Sequence, residues 1–152
     1  MSLAPLILSL SKSGVVTLWT RVDDRVEVSC YTQLHSDNAN FKMMDVWRNQ
    51  DGQYKLVTSR GLMGKIEVWN LNIWGTNIEA KLECGYSLGQ RLIKIKIIEA
   101  EDSDDTRNQF NIIAVSDTLV NVIKCNKVQK CKTFNTIQIH SINFHSPNVN
   151  SL

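Results

Sequence analysis

The stretch Leu6-Ile7-Leu8-Ser9-Leu10-Ser11-Lys12-Ser13-Gly14-Val15-Val16-Thr17-Leu18-Trp19 decides the fold, because Lys55 to Trp69 repeats it. Ser9, Gly14 and Trp19 recur as Ser59, Gly64 and Trp69 with the same spacing. Both copies run from an apolar segment through a polar turn ending in glycine into an alternating segment ending in tryptophan. Val15, Thr17 and Trp19 project to one side and Val16 and Leu18 to the other, the period of two expected of a strand. Ile66 and Val68 repeat that pattern. Each copy therefore reads as a β-hairpin, with Gly14 and Gly64 where a tight turn calls for a positive φ. Internal periodicity over tens of residues is the signature of a repeat architecture.

Working outward, Phe41 to Trp47 reads as a strand, followed by the turn Asn49-Gln50-Asp51-Gly52 and the strand Tyr54 to Ser59. After the Trp69 strand, Ile78 to Cys84 supplies a fourth, making a four-stranded meander. A more degenerate unit follows in the same order: Leu92 to Ile98, an acidic insertion, Phe110 to Val115, Leu119 to Ile123 and Val128 to Phe134, with Ile123 in place of tryptophan. Ile137 to Phe144 resembles the first strand of yet another unit. Apolar residues on both faces of the hairpin strands imply burial between neighbouring sheets. An incomplete stack should leave Val15, Leu18, Ile66 and Val68 in need of cover.

The pattern resembles the WD-repeat family, whose blade runs from a Gly-His pair through a serine-bearing strand and an Asp-Gly turn to a strand ending Trp-Asp. The best unit, His35 to Leu71, matches His35, Ser59, Gly64 and Trp69 to the family signature, and Ser9, Gly14 and Trp19 match in the preceding partial unit. Asn70 stands in place of the usual aspartate, Leu34 in place of glycine, and Met63 where the turn aspartate would be. The resemblance implies an all-β segment of a β-propeller built from four-stranded antiparallel blades: a partial blade over 6–33, full blades over 35–85 and 91–134, and the start of a further blade over 136–152. It also implies a buried Trp-Ser-His-Asp hydrogen-bond network in which His35 and Ser59 satisfy each other beneath the tryptophan.

Function follows as expectation. Propellers of this kind most often serve as non-catalytic protein-interaction scaffolds in multiprotein complexes, with partners bound on the loops joining second to third strands. That places Lys12, Ser13, Leu62 and Met63 on the binding face, where Leu62 and Met63 either form a small apolar hot spot or pack on the adjacent blade. Rings have about four to eight blades, so missing blades or another chain would complete this one. Trp47 and Trp74 lie outside the signature, as core residues or interface anchors.

Composition narrows the alternatives. With 152 residues, 43% hydrophobic and 21% charged, the chain suits one ordinary core, and its net charge of +2 is too small to mark a nucleic-acid binder. A nucleic-acid-associated role would instead use Lys124, Lys127, Lys130 and Lys132, whose plainer reading is a solvated strand face. No apolar run approaches the roughly 20 residues of a membrane span, and Met1 to Leu10 lacks a basic leader. An intracellular location, cytoplasmic or nuclear, is expected. Cys30, Cys84, Cys125 and Cys131 lack disulfide-scaffold spacing, and Cys125, Cys131, His140 and His145 fit a zinc site poorly. No cofactor is expected. The run Glu99 to Asp105 lacks the glycine and terminal glutamate of a calcium loop, leaving a solvated loop or an acidic docking segment. No Gly-x-Ser-x-Gly elbow accompanies Ser59 and His35, so an enzyme is not expected.

Overall fold

In the computed structural model, residues 6–35, 39–99, 109–125 and 137–139 are described, and among them there is no helix. The chain forms three antiparallel sheets in sequence order. The first contains β1 (Ile7–Leu10), β2 (Val15–Val22) and β3 (Arg25–Gln33). The second contains β4 (Phe41–Arg48), β5 (Tyr54–Arg60), β6 (Lys65–Trp74) and β7 (Asn77–Ser87). The third contains β8 (Leu92–Glu99), β9 (Phe110–Ser116), β10 (Val120–Cys125) and β11 (Ile137–Ile139). Each sheet is a simple meander whose spatial order follows chain order.

These elements coincide closely with the periodicity of the sequence, since alternating apolar residues can be buried on a sheet face only at a period of two. At the end of the chain the pairing differs from expectation. Ile137–Ile139, expected to open a further unit, pairs antiparallel with β10, Val120 opposite Ile139, and occupies the fourth position of the third sheet. The segment Val128 to Phe134, expected in that position, lies outside the described residues.

The sheets stack face to face. One core lies between the first and second sheets, where Val16 packs with Leu56, Trp69 and Leu71 and with Phe41 at the start of β4. Another lies between the second and third, where Val57, Ile66 and Val68 meet Ile95, Ile97, Ile112 and Ile123. The second sheet is thus covered on both sides, which accounts for its hydrophobic strands. Leu18, Ile66 and Val68, expected to need cover from outside, are buried by neighbours within the chain; Val15 is half-buried.

The connections between sheets repeat as well. The amide of Leu34 donates to the carbonyl of Gly14, and that of Leu88 to the carbonyl of Gly64, so each hairpin turn clamps the linker leading into the next sheet. Gly14 and Gly64 have φ of 94° and 63°. A Cβ at Gly64 would lie 2.2 Å from the Gln90 carbonyl oxygen, so the close approach of turn and linker requires glycine there.

At the opposite edge the sheets are tied by a side chain. Asp45 of β4 reaches β8, where its Oδ2 accepts the Ile97 amide at 2.7 Å, while its Oδ1 accepts the amide of Val46 at 3.0 Å. Lys96 stands 3.8 Å from the same carboxylate. An edge-strand donor that the sheet itself leaves unpaired is satisfied in this way.

Candidate functional site

The turns after β1, β5 and β9 occupy equivalent places in successive sheets, and together they form a rim. The turn after β1 is pinned by its backbone: the Lys12 carbonyl accepts the Phe41 amide at 2.9 Å, and the Ser13 carbonyl accepts Gln33 Nε2 at 2.7 Å. The side chains of Lys12 and Ser13 are left exposed. In the next turn the Met63 carbonyl accepts Ser87 Oγ at 3.1 Å, directly before the Gly64 clamp. Leu62 and Met63 project outward from it, 67% and 61% exposed. Of their two expected roles, packing on the adjacent sheet is therefore not what they do. The turn after β9 is stiffened by Ser116 Oγ, which accepts the Leu119 amide at 3.0 Å, and it presents Asp117 and Thr118. This third turn falls between the expected strands Phe110 to Val115 and Leu119 to Ile123, with the Ser-Asp-Thr run at 116–118 as its signal, but Asp117 and Thr118 are not among the residues expected on the binding face.

An apolar centre flanked by a basic turn on one side and an acidic one on the other suits a protein surface. On a backbone-clamped turn, two exposed apolar side chains can bind without the added cost of ordering the loop, leaving only their own rotamer freedom to be lost. They carry no chemistry of their own.

Beneath the rim, the signature residues adopt a different hydrogen-bond pattern from the one the resemblance implies. His35 does not reach Ser59. Its Nε2 lies 3.1 Å from both oxygens of Glu67, and its ring stacks on Phe41 and meets Trp69 edge-on with centroids 5.1 Å apart. Trp69 Nε1 donates to Thr58 Oγ1 at 3.1 Å. Ser59 Oγ is buried on the opposite face with no partner among the described residues. The reason is the alternation of β5, which turns Thr58 and Ser59 to opposite sides of the sheet. The carboxylate that meets His35 is that of Glu67, which is 1% exposed on its side chain and also meets Arg60 Nε at 3.2 Å and Lys65 Nζ at 3.6 Å. A buried carboxylate is tolerable only with such partners. Opposite it stands Gly85, where a Cβ would lie 3.3 Å from Glu67 Cγ.

In the first sheet Trp19 Nε1 donates to Ser9 Oγ at 2.8 Å. Asn70 bridges two charges: its Oδ1 accepts Lys55 Nζ and its Nδ2 donates to Glu83 Oε1 at 2.6 Å. An aspartate would set two carboxylates together there.

Trp47 packs on Phe110 with centroids 5.1 Å apart and donates Nε1 to Glu99 at 3.3 Å, whereas Trp74 is exposed. Cys30 and Cys84 fall at matching register positions on β3 and β7, and Cys125 is buried. Lys124 is exposed on β10. Lys127, Lys130, Lys132, Cys131, His140, His145 and the acidic residues 101–105 lie outside the described residues. Among the described residues no three His, Cys, Asp or Glu side chains are grouped to hold a metal ion, and no helix is long and apolar enough to cross a membrane.

No family model, curated protein or solved structure matches this chain significantly.

Proposed function

We propose that this chain is a segment of a WD-repeat-like β-propeller and acts as a non-catalytic scaffold that binds protein partners through the rim turns. The observation that carries this reading is the pair Leu62 and Met63, exposed on a turn whose backbone is held by Ser87 and by the Leu88–Gly64 hydrogen bond. An apolar pair on a rigid polar rim has the composition of a small binding hot spot. The propeller reading is supported by the face-to-face stacking of consecutive meanders, the repeated linker clamp and the tryptophan–hydroxyl bonds of Trp19 and Trp69. Function resides in the site and not in the fold, so the rim is what a test must address.

The test compares proteins co-purifying natively with the full chain and with a Leu62→Ser, Met63→Ser double variant. Loss of a defined set of partners, with unfolding stability unchanged within about 0.5 kcal/mol, is the expected result, because surface substitutions seldom alter stability more. Recovery of the same proteins at the same stoichiometry would remove the rim from consideration.

A further inference from the structure

The rim carries more than the pair Leu62 and Met63. The first strands of the second and third sheets each hold one extra residue at their rim end: pairing with β5 shifts between Phe41 and Met43, and pairing with β9 shifts between Leu92 and Lys94. The residues at these bulges are Lys42 and Ile93. A bulge re-aims the extra side chain. Lys42 and Ile93 are accordingly exposed, Ile93 at 57%, whereas Phe41 and Leu92 beside them are buried. Backbone contacts hold the pieces together. The Lys12 carbonyl accepts the Phe41 amide next to Lys42, the Gly64 carbonyl accepts the Leu88 amide, and Gly64 abuts the Gln90 carbonyl next to Arg91. Leu92 then stands opposite Ser116 at the third turn.

The charges of this rim are one-sided. Among the described residues Lys12, Lys42, Lys65, Arg91 and Lys94 are exposed there against a single exposed acid, Asp117. Arg60 and Glu67 are joined at 3.2 Å, with Glu67 buried. Turns at the opposite end are balanced: Arg21 and Arg25 accompany Asp23 and Asp24, and Arg48 accompanies Asp51. A patch of one sign raises the local concentration of partners of the other. The described rim turns and bulges present no aromatic ring on which a nucleic-acid base would stack. Exposed apolar side chains set among cations suit an amphipathic protein segment instead.

We propose, resting on the scaffold reading, that the partner bound at the rim is an acidic protein segment. Its large apolar side chains are seated on Leu62, Met63 and Ile93, and its carboxylates face Lys42, Arg91 and Lys94. Attraction to the cations speeds encounter and is screened by salt, whereas the apolar contacts slow release of the bound segment. The central turn belongs to the sheet that is covered on both sides within this chain.

Random peptides displayed on phage and selected against the full chain supply the probe, and fluorescence anisotropy of the enriched peptides measures binding. Peptides of net negative charge that carry large apolar residues are expected. Their affinity should fall at least about tenfold for a Lys42→Glu, Arg91→Glu variant and decline with added salt, because reversed charges repel an acidic segment. The neutral variant Lys42→Gln, Arg91→Gln should weaken binding less, and it keeps the test open if the reversal disturbs folding. Peptides without net negative charge, lost with Leu62→Ser and Met63→Ser yet indifferent to both charge variants, would overturn the acidic partner and leave the rim reading intact. Failure to enrich any peptide, or enrichment of peptides indifferent to every one of these substitutions, would sink both. A single-stranded oligonucleotide bound more tightly than the peptides would refute the choice of a protein segment.

Discussion

Trp69 donates its indole N–H to Thr58, not to Ser59, although Ser59 is the residue that aligns by identity with Ser9, the acceptor for Trp19. The difference arises in the turn. The pair Leu10 and Val16 encloses 11–15, whereas the matching pair Ser59 and Ile66 encloses 60–65, one residue more. That extra residue slips β5 against β1, so Thr58 takes the place of Ser9 and Ser59 takes the place of Leu10. A one-residue slip exchanges the faces of a strand, and here it moves the serine hydroxyl into the apolar interface with the third sheet.

Thr58 and Ser59 should therefore respond oppositely to loss of the hydroxyl. Thr58→Val leaves the buried Trp69 N–H without an acceptor and is expected to destabilise the chain by about 1–3 kcal/mol. Ser59→Ala removes a buried hydroxyl that has no partner among the described residues and is expected to be neutral or stabilising. Urea unfolding of the two variants measures this directly, and a larger loss at Ser59 would contradict the assigned bond.

An aspartate at position 70 should harm this protein. Asn70→Asp places a carboxylate where the Asn70 amide now donates to Glu83 at 2.6 Å, with Lys55 and the cross-strand Lys81 offsetting only part of the added charge. For this half-buried group a loss of roughly 1 kcal/mol is expected, as like charges in adjacent strands repel. The double variant Asn70→Asp, Glu83→Gln should recover most of it, which a cycle of denaturation midpoints would show.

Gly64→Ala and Gly14→Ala carry the same positive-φ strain but differ in what the new methyl meets. At Gly64 it meets the backbone oxygen of Gln90 at 2.2 Å; at Gly14 it meets the edge of the Phe41 ring at 2.7 Å. A ring can shift and a clamped backbone cannot, so Gly64→Ala should be the more damaging, by upwards of about 1 kcal/mol. Thermal unfolding of both variants ranks them.

Asp45→Ala is expected to release the Ile97 amide, which Asp45 Oδ2 accepts at 2.7 Å. Hydrogen exchange at Ile97 should accelerate while exchange at Ile112, within the sheet, changes less. Asp45→Asn retains an acceptor and should keep most of the protection. A hydrogen bond of this kind to a charged group contributes about 1.5–3 kcal/mol.

How far the sequence went can be traced through particular residues. The alternation Val15-Val16-Thr17-Leu18-Trp19, the copy ending at Trp69, and the turn at Asp51-Gly52 suffice for the strands of the first two sheets, because strand period and turn chemistry are local properties of the chain. The exposure of Lys12, Ser13, Leu62 and Met63 also follows from their place in tight turns. The third sheet was legible as far as Ile123, where the same alternation persists without tryptophan.

Other features depended on tertiary structure for a physical reason in each case. Alternation specifies a strand but not its neighbour, so only pairing assigned Ile137–Ile139 to β10. Identity of letters cannot reveal register: it aligns Ser59 with Ser9, whereas the longer turn puts Thr58 in that place. Glu67 lies in sequence as an ordinary polar residue between Ile66 and Val68; its role emerges only where the linker residue His35, thirty-two positions away, is brought onto it with Arg60 and Lys65. The sequence by itself determined the strands and turns, which are set by local stereochemistry and hydrophobic period. Which faces are covered, which hydroxyl serves the tryptophan and which carboxylate serves the histidine were decided by sheet stacking, because burial and hydrogen bonding between distant segments exist only once those segments meet.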